Sequence, residues 1–314
     1  MKKEFLFSTD DGAFSLRTVC WLPDDQPPRA VMQIVHGIYE YMDRYDDFAT
    51  FLSQYGIIVV GCDLPGHGHT AKGRFELGQF AEENGWRAVS SALNELAESF
   101  KKACPNVPFY LFGHSMGSFL VRTMLIQYPN LSEGAILSGT GHPPDRLLGF
   151  GRLIIRLAVR FLGPNARSHY IQRLVMGSYN RQFAPNRTSA DWLSRDEEMV
   201  DRFCADSLTS FLPTVSLFRD LTDGLSYIRN PDKLTTMKKN LPLYFFSGEQ
   251  DPVGENGSGI HRAVQSLEQV GCHNIQVKLY PEGRHEMLNE INRQEVFGDV
   301  LTWLNKQIKT YYGV

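Results

Sequence analysis

Along its first 140 residues the chain repeats one unit: a short run of β-branched and aromatic residues, a loop rich in turn formers, then an amphipathic stretch. The runs 30–35 (AVMQIV), 57–62 (IIVVGC), 109–112 (FYLF) and 135–137 (AIL) are almost continuously apolar, the pattern of strands buried on both faces. Between them, 45–54, 86–102 and 116–127 carry apolar residues three and four apart, as helices covering a sheet do. The unit returns near the end as a strand at 243–246 (LYFF), a helix at 258–270, a strand at 275–280 (IQVKLY) and a last helix through 296–308. Strand and helix in alternation predict a mostly parallel, doubly wound sheet. The opening segment EFLFSTDDGAFSLRTVCWL alternates about an Asp-Asp-Gly turn signal and predicts an antiparallel hairpin at the sheet edge. Residues 141–238 break the rhythm, turning helix-rich and irregular. Because the later strands would complete the same sheet, this stretch reads as an insertion into a core of 1–140 and 239–314.

Composition narrows the classes of function. With 42% hydrophobic and 21% charged residues the chain can bury a large core. Its 32 basic residues against 35 acidic ones leave a net charge of -3, so no global positive field exists to hold nucleic acid. The N-terminal apolar stretch is interrupted by Glu4, Ser8 and Asp10, which argues against a secretory signal. Five scattered cysteines, Cys20, Cys62, Cys104, Cys204 and Cys272, have no metal-ligand spacing and read as reduced thiols of a cytoplasmic protein.

Candidate chemistry begins at FYLFGHSMGSFLVRTML, where Gly113-His114-Ser115-Met116-Gly117 follows an apolar strand and opens an amphipathic helix. A G-x-S-x-G in that context is an elbow that lifts the serine hydroxyl above the sheet and aims the Met116 N–H at an oxyanion. The bland alternative is a serine that only caps the helix. A serine hydroxyl needs an imidazole to take its proton and a carboxylate to orient that imidazole, and in this context they follow in the order acid, then base, past strand ends. Asp251 in LYFFSGEQDPVG and His285 in VKLYPEGRHEML stand there. Glu249 is the rival acid, but Pro252 stiffens the turn after Asp251; His261 and His273 fall in or beside a helix. After the strand at 30–35 comes His36-Gly37-Ile38-Tyr39-Glu40, the position of the second oxyanion donor. The Ile38 backbone is the candidate, Gly37 lets the chain pass close to substrate, and His36 braces the loop. The histidine-rich DLPGHGH at 63–69 lacks an accompanying ligand set and reads as a structural loop.

Taken together, HGIYEYMDRYDDFATFL, DLPGHGHT, FYLFGHSMGS, GEQDPVG and YPEGRHEMLNE resemble the monoacylglycerol lipase and lysophospholipase group of α/β-hydrolases, also described as serine aminopeptidase-like hydrolases. The resemblance implies an α/β-hydrolase fold with an inserted helical cap, a Ser115, Asp251, His285 triad, oxyanion donors at Ile38 and Met116, and no metal or organic cofactor. It implies a carboxylic ester or lipid as substrate. Two departures bear on specificity: HGIYEY stands where HGxGEH is usual, so Tyr39 and Tyr41 put bulk where a glycine and a histidine are expected, and GHSMGS stands where GHSMGG is common. Within the insertion, DRLLGFGRLIIRLAVRFLG places Arg152, Arg156 and Arg160 on one stripe beside a broad apolar face. That face would roof the pocket; alternatively it lies on an anionic membrane. A small-substrate esterase, thioesterase or peptidase, and a non-catalytic ligand-binding protein, are the competing functions.

Overall fold

A computed structural model describes residues 1–24, 26–73 and 76–314. Among them, eight strands form one sheet: β1 (Lys2–Ser8), β2 (Ser15–Trp21), β3 (Ala30–Val35), β4 (Ile57–Cys62), β5 (Phe109–His114), β6 (Gly134–Ser138), β7 (Leu243–Gly248) and β8 (Ile275–Tyr280). Their order is β1-β2-β4-β3-β5-β6-β7-β8. The hairpin of β1 and β2 is antiparallel and joins β4 antiparallel; every other pairing is parallel. The six-residue runs of β3, β4, β5 and β7 are buried at every position, as strands covered on both sides must be.

Alternate side chains of each strand feed two cores, because successive Cβ atoms leave opposite faces of a sheet. On one face Val31, Val35, Leu111, Leu137 and Phe245 meet helices α2 (Gly85–Ala103), α3 (Met116–Gln127) and α9 (Ser258–Glu268). On the other, Met32, Ile34, Phe112, Ile136 and Phe246 meet α1 (Asp46–Gln54) and α10 (Arg293–Tyr312). Helix α3 is buried from Met116 to Ile126, so it needs no polar face.

Between β6 and β7 the chain builds α4 (Asp145–Leu162), α5 (His169–Met176), α6 (Glu197–Ala205), α7 (Val215–Tyr227) and α8 (Pro231–Leu234). This stretch has two kinds of packing. Leu217, Leu221, Ile228, Leu234 and Met237 join the sheet's main core, whereas Ile155, Ala158 and Ile171 form a separate cluster with Val215 and Phe218. Helix α4 buries only Leu148, Ile155 and Ala158. Leu147, Phe150, Leu153, Leu157, Phe161 and Leu162 stay exposed. No helix among the described residues is long and apolar enough to cross a membrane.

Candidate active site

The turn from β5 into α3 holds Ser115 at φ 52° and ψ −122°, a backbone region that side chains rarely adopt and that costs on the order of 1–3 kcal/mol. Neighbouring contacts enforce it. A Cβ on Gly117 would lie 2.0 Å from the Val35 carbonyl oxygen, and one on Gly113 2.6 Å from that of Gly117. Only glycines let the elbow sit against β3. The Ser118 hydroxyl donates to the Ser115 carbonyl at 2.6 Å, so the serine that departs from the usual GHSMGG ties down the elbow and stays out of the cavity.

Past the end of β7, Asp251 is fully buried. Its Oδ2 accepts from the Ser247 hydroxyl at 2.5 Å and its Oδ1 from the Val253 N–H at 2.9 Å. Past β8, His285 presents Nδ1 to Asp251 Oδ1 at 2.9 Å. Burial alone would raise the carboxyl pKa, but the His285 charge and these hydrogen bonds hold it below the usual carboxylate value. Burial alone would lower the imidazole, and the Asp251 charge and hydrogen bond outweigh it, so His285 is raised above 6.5. The rivals lie elsewhere: Glu249, His261 and His273 are exposed at the surface.

Ser115, His285, Ile38, Tyr39 and Met116 line one cavity of about 120 Å³. Its other walls are mainly apolar, with Phe119, Val175, Met176, Tyr179, Trp192, Leu193, Phe203, Leu221 and Leu225 among them. Among the described residues, neither the Ile38 nor the Met116 N–H has an acceptor in the chain. Gly37 does not face the cavity. Its N–H donates to Glu40 Oε2 at 2.8 Å, and it abuts Ser115, where an added Cβ would come within 3.0 Å of the serine Cβ. Tyr39 turns at φ 62° and its hydroxyl accepts from Gln172 of α5 at 2.9 Å. Tyr41 instead donates to Asp206 at 2.6 Å. His36 accepts the Leu64 N–H at Nε2, 2.9 Å, and faces the Gly37 carbonyl through Nδ1 at 2.8 Å; both ring nitrogens are occupied in bracing two loops. In the 63–69 loop, Asp63 accepts from the N–H groups of Met42 and His69 at 2.7 and 2.8 Å.

Also bordering this cavity is a buried set of Glu40, His114 and Glu286 whose ligand-type atoms fall within 4.8 Å of one another. Arg44 already supplies positive charge there, donating to Glu40 at 3.3 Å and to Glu286 at 2.5 Å. Burial would raise Glu40, yet His114, Arg44 and the Gly37 N–H bring it down to about 2. Burial lowers His114 to about 4 despite the Glu40 charge, and its ring lies 4.7 Å from that of His285 between centroids.

Several contributors have no motif in the sequence. Trp192, from the inserted stretch, lies 5.0 Å from the His285 ring, and the Trp192 and Leu193 carbonyls accept the His285 and Glu286 N–H groups at 3.3 and 2.7 Å. Ser247 is the penultimate residue of β7, four positions before Asp251, the one local signal available for it. The expectation that the apolar face of α4 roofs the pocket is corrected: among the described residues α4 contributes nothing to this wall, and α5, α6, α7 and the Tyr179 and Trp192 loops enclose it.

The sequence profile of the serine aminopeptidase S33 family matches residues 26–292. A monoacylglycerol lipase of Mycolicibacterium smegmatis is 27% identical over 90% of both chains, and phospholipase YtpA of Bacillus subtilis is 26% identical over 88% of this chain and 95% of that one. Among solved structures, a thermostable carboxyl esterase from Bacillus coagulans, crystallised with glycerol, superposes with a TM-score of 0.90 at 25% identity, over 98% of this chain and 99% of the other. With the profile running from ahead of β3 to the start of the last helix, and the fold held in common almost end to end, this chain belongs to the serine aminopeptidase S33 family of α/β-hydrolases.

Proposed function

We propose that the protein hydrolyses carboxylic esters of lipid type by way of an acyl-enzyme on Ser115. The observation that carries this reading is the buried Asp251–His285 pair at 2.9 Å, sharing one apolar cavity with a serine held at positive φ. His285 takes the Ser115 proton as the hydroxyl oxygen attacks the ester carbonyl, and Asp251 fixes the ring tautomer and stabilises its charged form. The N–H groups of Ile38 and Met116, with no acceptor of their own, receive the oxyanion. His285 then protonates the departing alcohol, and water attacking by the same route frees the acid. Tyr39 borders the substrate, and Gly37 keeps the loop close to the serine. The names of the relatives, a monoacylglycerol lipase and a phospholipase, support an acyl-lipid substrate.

Residues 141–238 act as a cap over this cavity, with Val175, Met176, Trp192 and Phe203 as its underside. The exposed apolar residues of α4, set beside Arg146, Arg156 and Arg160, support this cap as the face that meets a membrane. Five unpaired cysteines support a cytoplasmic location. The test is a series of p-nitrophenyl esters of rising chain length, run beside monoacylglycerols and aminoacyl amides, together with fluorophosphonate labelling. One label per chain, lost in Ser115→Ala, with monoacylglycerols and the longer esters hydrolysed in preference to aminoacyl amides, is the expected result. Absence of labelling and of any ester hydrolysis would favour a ligand-binding protein.

A further inference from the structure

Beside the cavity that holds Ser115 lies a larger chamber of about 820 Å³. Tyr39, Met176, Trp192 and Phe203 line both spaces and so form the boundary between them. Met176, Trp192 and Phe203 come from the inserted stretch. Tyr39 comes from the core, next to the Ile38 N–H, and stands where the usual HGxGEH has its glycine. Its backbone keeps a glycine-like conformation, with φ at 62°. A side chain there is strained where glycine would not be, yet this ring is buried and held at two points. Its hydroxyl accepts from Gln172 of α5 at 2.9 Å, and its face packs on Phe211, 5.0 Å between centroids. Phe211 is backed by His67 at 5.6 Å, and His67 by His36 at 5.4 Å. Swinging Tyr39 out of the boundary would break the hydrogen bond and the ring contact together. Tyr41, the other departure from that motif, lines neither space and donates to Asp206 instead.

An ester seated with its carbonyl at Ser115 extends to either side of the scissile bond. With the oxyanion on the Ile38 N–H, the carbonyl lies one residue from Tyr39, so the boundary falls within the first few atoms of the ester group. Whichever end of the substrate enters the larger chamber passes Tyr39 there. A straight chain presents the smallest cross-section to that wall. An alkyl branch at the same point meets a ring with packed neighbours behind it, and close-packed groups do not make room for an added methyl without strain. We infer that Tyr39 is the specificity-determining residue for substrate shape: it admits esters that are straight beside the ester group and turns away isomers branched on the side facing the larger chamber. This rests on the ester-hydrolase reading and adds to it the shape of substrate that the site accepts.

The test compares butyl butyrate with two isomers, butyl isobutyrate and sec-butyl butyrate, which carry one branch on the acyl or the alcohol side. For each branched ester, kcat/KM is read relative to butyl butyrate in the parent and in variants, so the intrinsic reactivity of the ester cancels. The parent should disfavour one of the two, which also identifies the end that faces the larger chamber. In Tyr39→Gly the relative kcat/KM of that ester should rise by about tenfold, the scale on which a pocket discriminates one methyl or methylene group. Tyr39→Phe keeps the ring and should keep the ratio within about twofold of the parent. Phe211→Ala removes the backing without altering the oxyanion loop, and should raise the same ratio by a smaller factor even if Tyr39→Gly does not fold. No rise in Tyr39→Gly or Phe211→Ala, or an equal rise in Tyr39→Phe, would overturn the inference and leave the hydrolase reading standing. Failure of the parent to hydrolyse any of the three esters, with no fluorophosphonate labelling, would remove the hydrolase reading and this inference together.

Discussion

In the proposed reaction His285 works only while its ring is neutral, so the pH profile reports its environment. Asp251 raises the imidazole above 6.5 in spite of burial. As pH falls through that raised value the ring takes a proton and can no longer accept one from Ser115. The acid limb of kcat/KM should therefore have its midpoint above 6.5, a pH series on p-nitrophenyl butyrate being the measurement. In Asp251→Asn the largest raising interaction is gone, while burial and the weaker pull of Glu286 and Glu40 remain. The limb should move to lower pH, while kcat falls by about 10⁴-fold because the ring tautomer is no longer fixed. Ser115→Ala should lose fluorophosphonate labelling altogether and drop kcat by about 10⁶-fold, with the fold intact by circular dichroism. The residue types and loop positions of Ser115, Asp251 and His285 were readable from the chain because each follows a strand. The partners that tune them were not. Ser247, Val253 and Trp192 look ordinary in sequence, and their roles come only from where the loops cross.

The elbow between β5 and α3 is where a single element carries both strain and function. An alanine at Gly117 would drive its Cβ to within 2.0 Å of the Val35 carbonyl oxygen, a backbone atom that cannot swing aside. Gly117→Ala should lower unfolding free energy in urea by about 3 kcal/mol, the upper part of the usual cost of overpacking, and reduce labelling of Ser115. The Trp192 loop acts on the same site from the opposite side. Removing its indole should leave the Asp251–His285 pair in place but loosen the imidazole's seat. Trp192→Ala is expected to lower kcat by up to about 100-fold with a smaller change in KM. Helix α4 shows how periodicity can be read correctly and placed wrongly. Its apolar stripe exists, but its width exceeds what one neighbour covers: Ile155 and Ala158 pack inward while Phe150, Leu153 and Phe161 face out.

At the scale of the whole molecule, that exposed stripe sets a test of the membrane proposal. Phe150→Ser/Phe161→Ser should reduce co-sedimentation with anionic vesicles by about tenfold yet leave hydrolysis of soluble butyrate esters unchanged, because neither side chain lines the cavity. Equal sedimentation of variant and parent would dispose of the idea. The alternation of apolar runs and amphipathic stretches by itself determined the parallel sheet, the edge hairpin and the helices on both faces, because burial on two sides leaves a strand no polar positions and covering helices need a stripe every three to four residues. The Gly-x-Ser-x-Gly context likewise fixed where a nucleophile would stand. Tertiary structure alone decided what the 141–238 stretch does. Part of it sinks into the main core, part packs on itself, and part divides between cavity wall and open surface; local pattern carries no information on that division. A helix's apolar face says that something must cover it; which neighbour does so depends on the path of the entire chain.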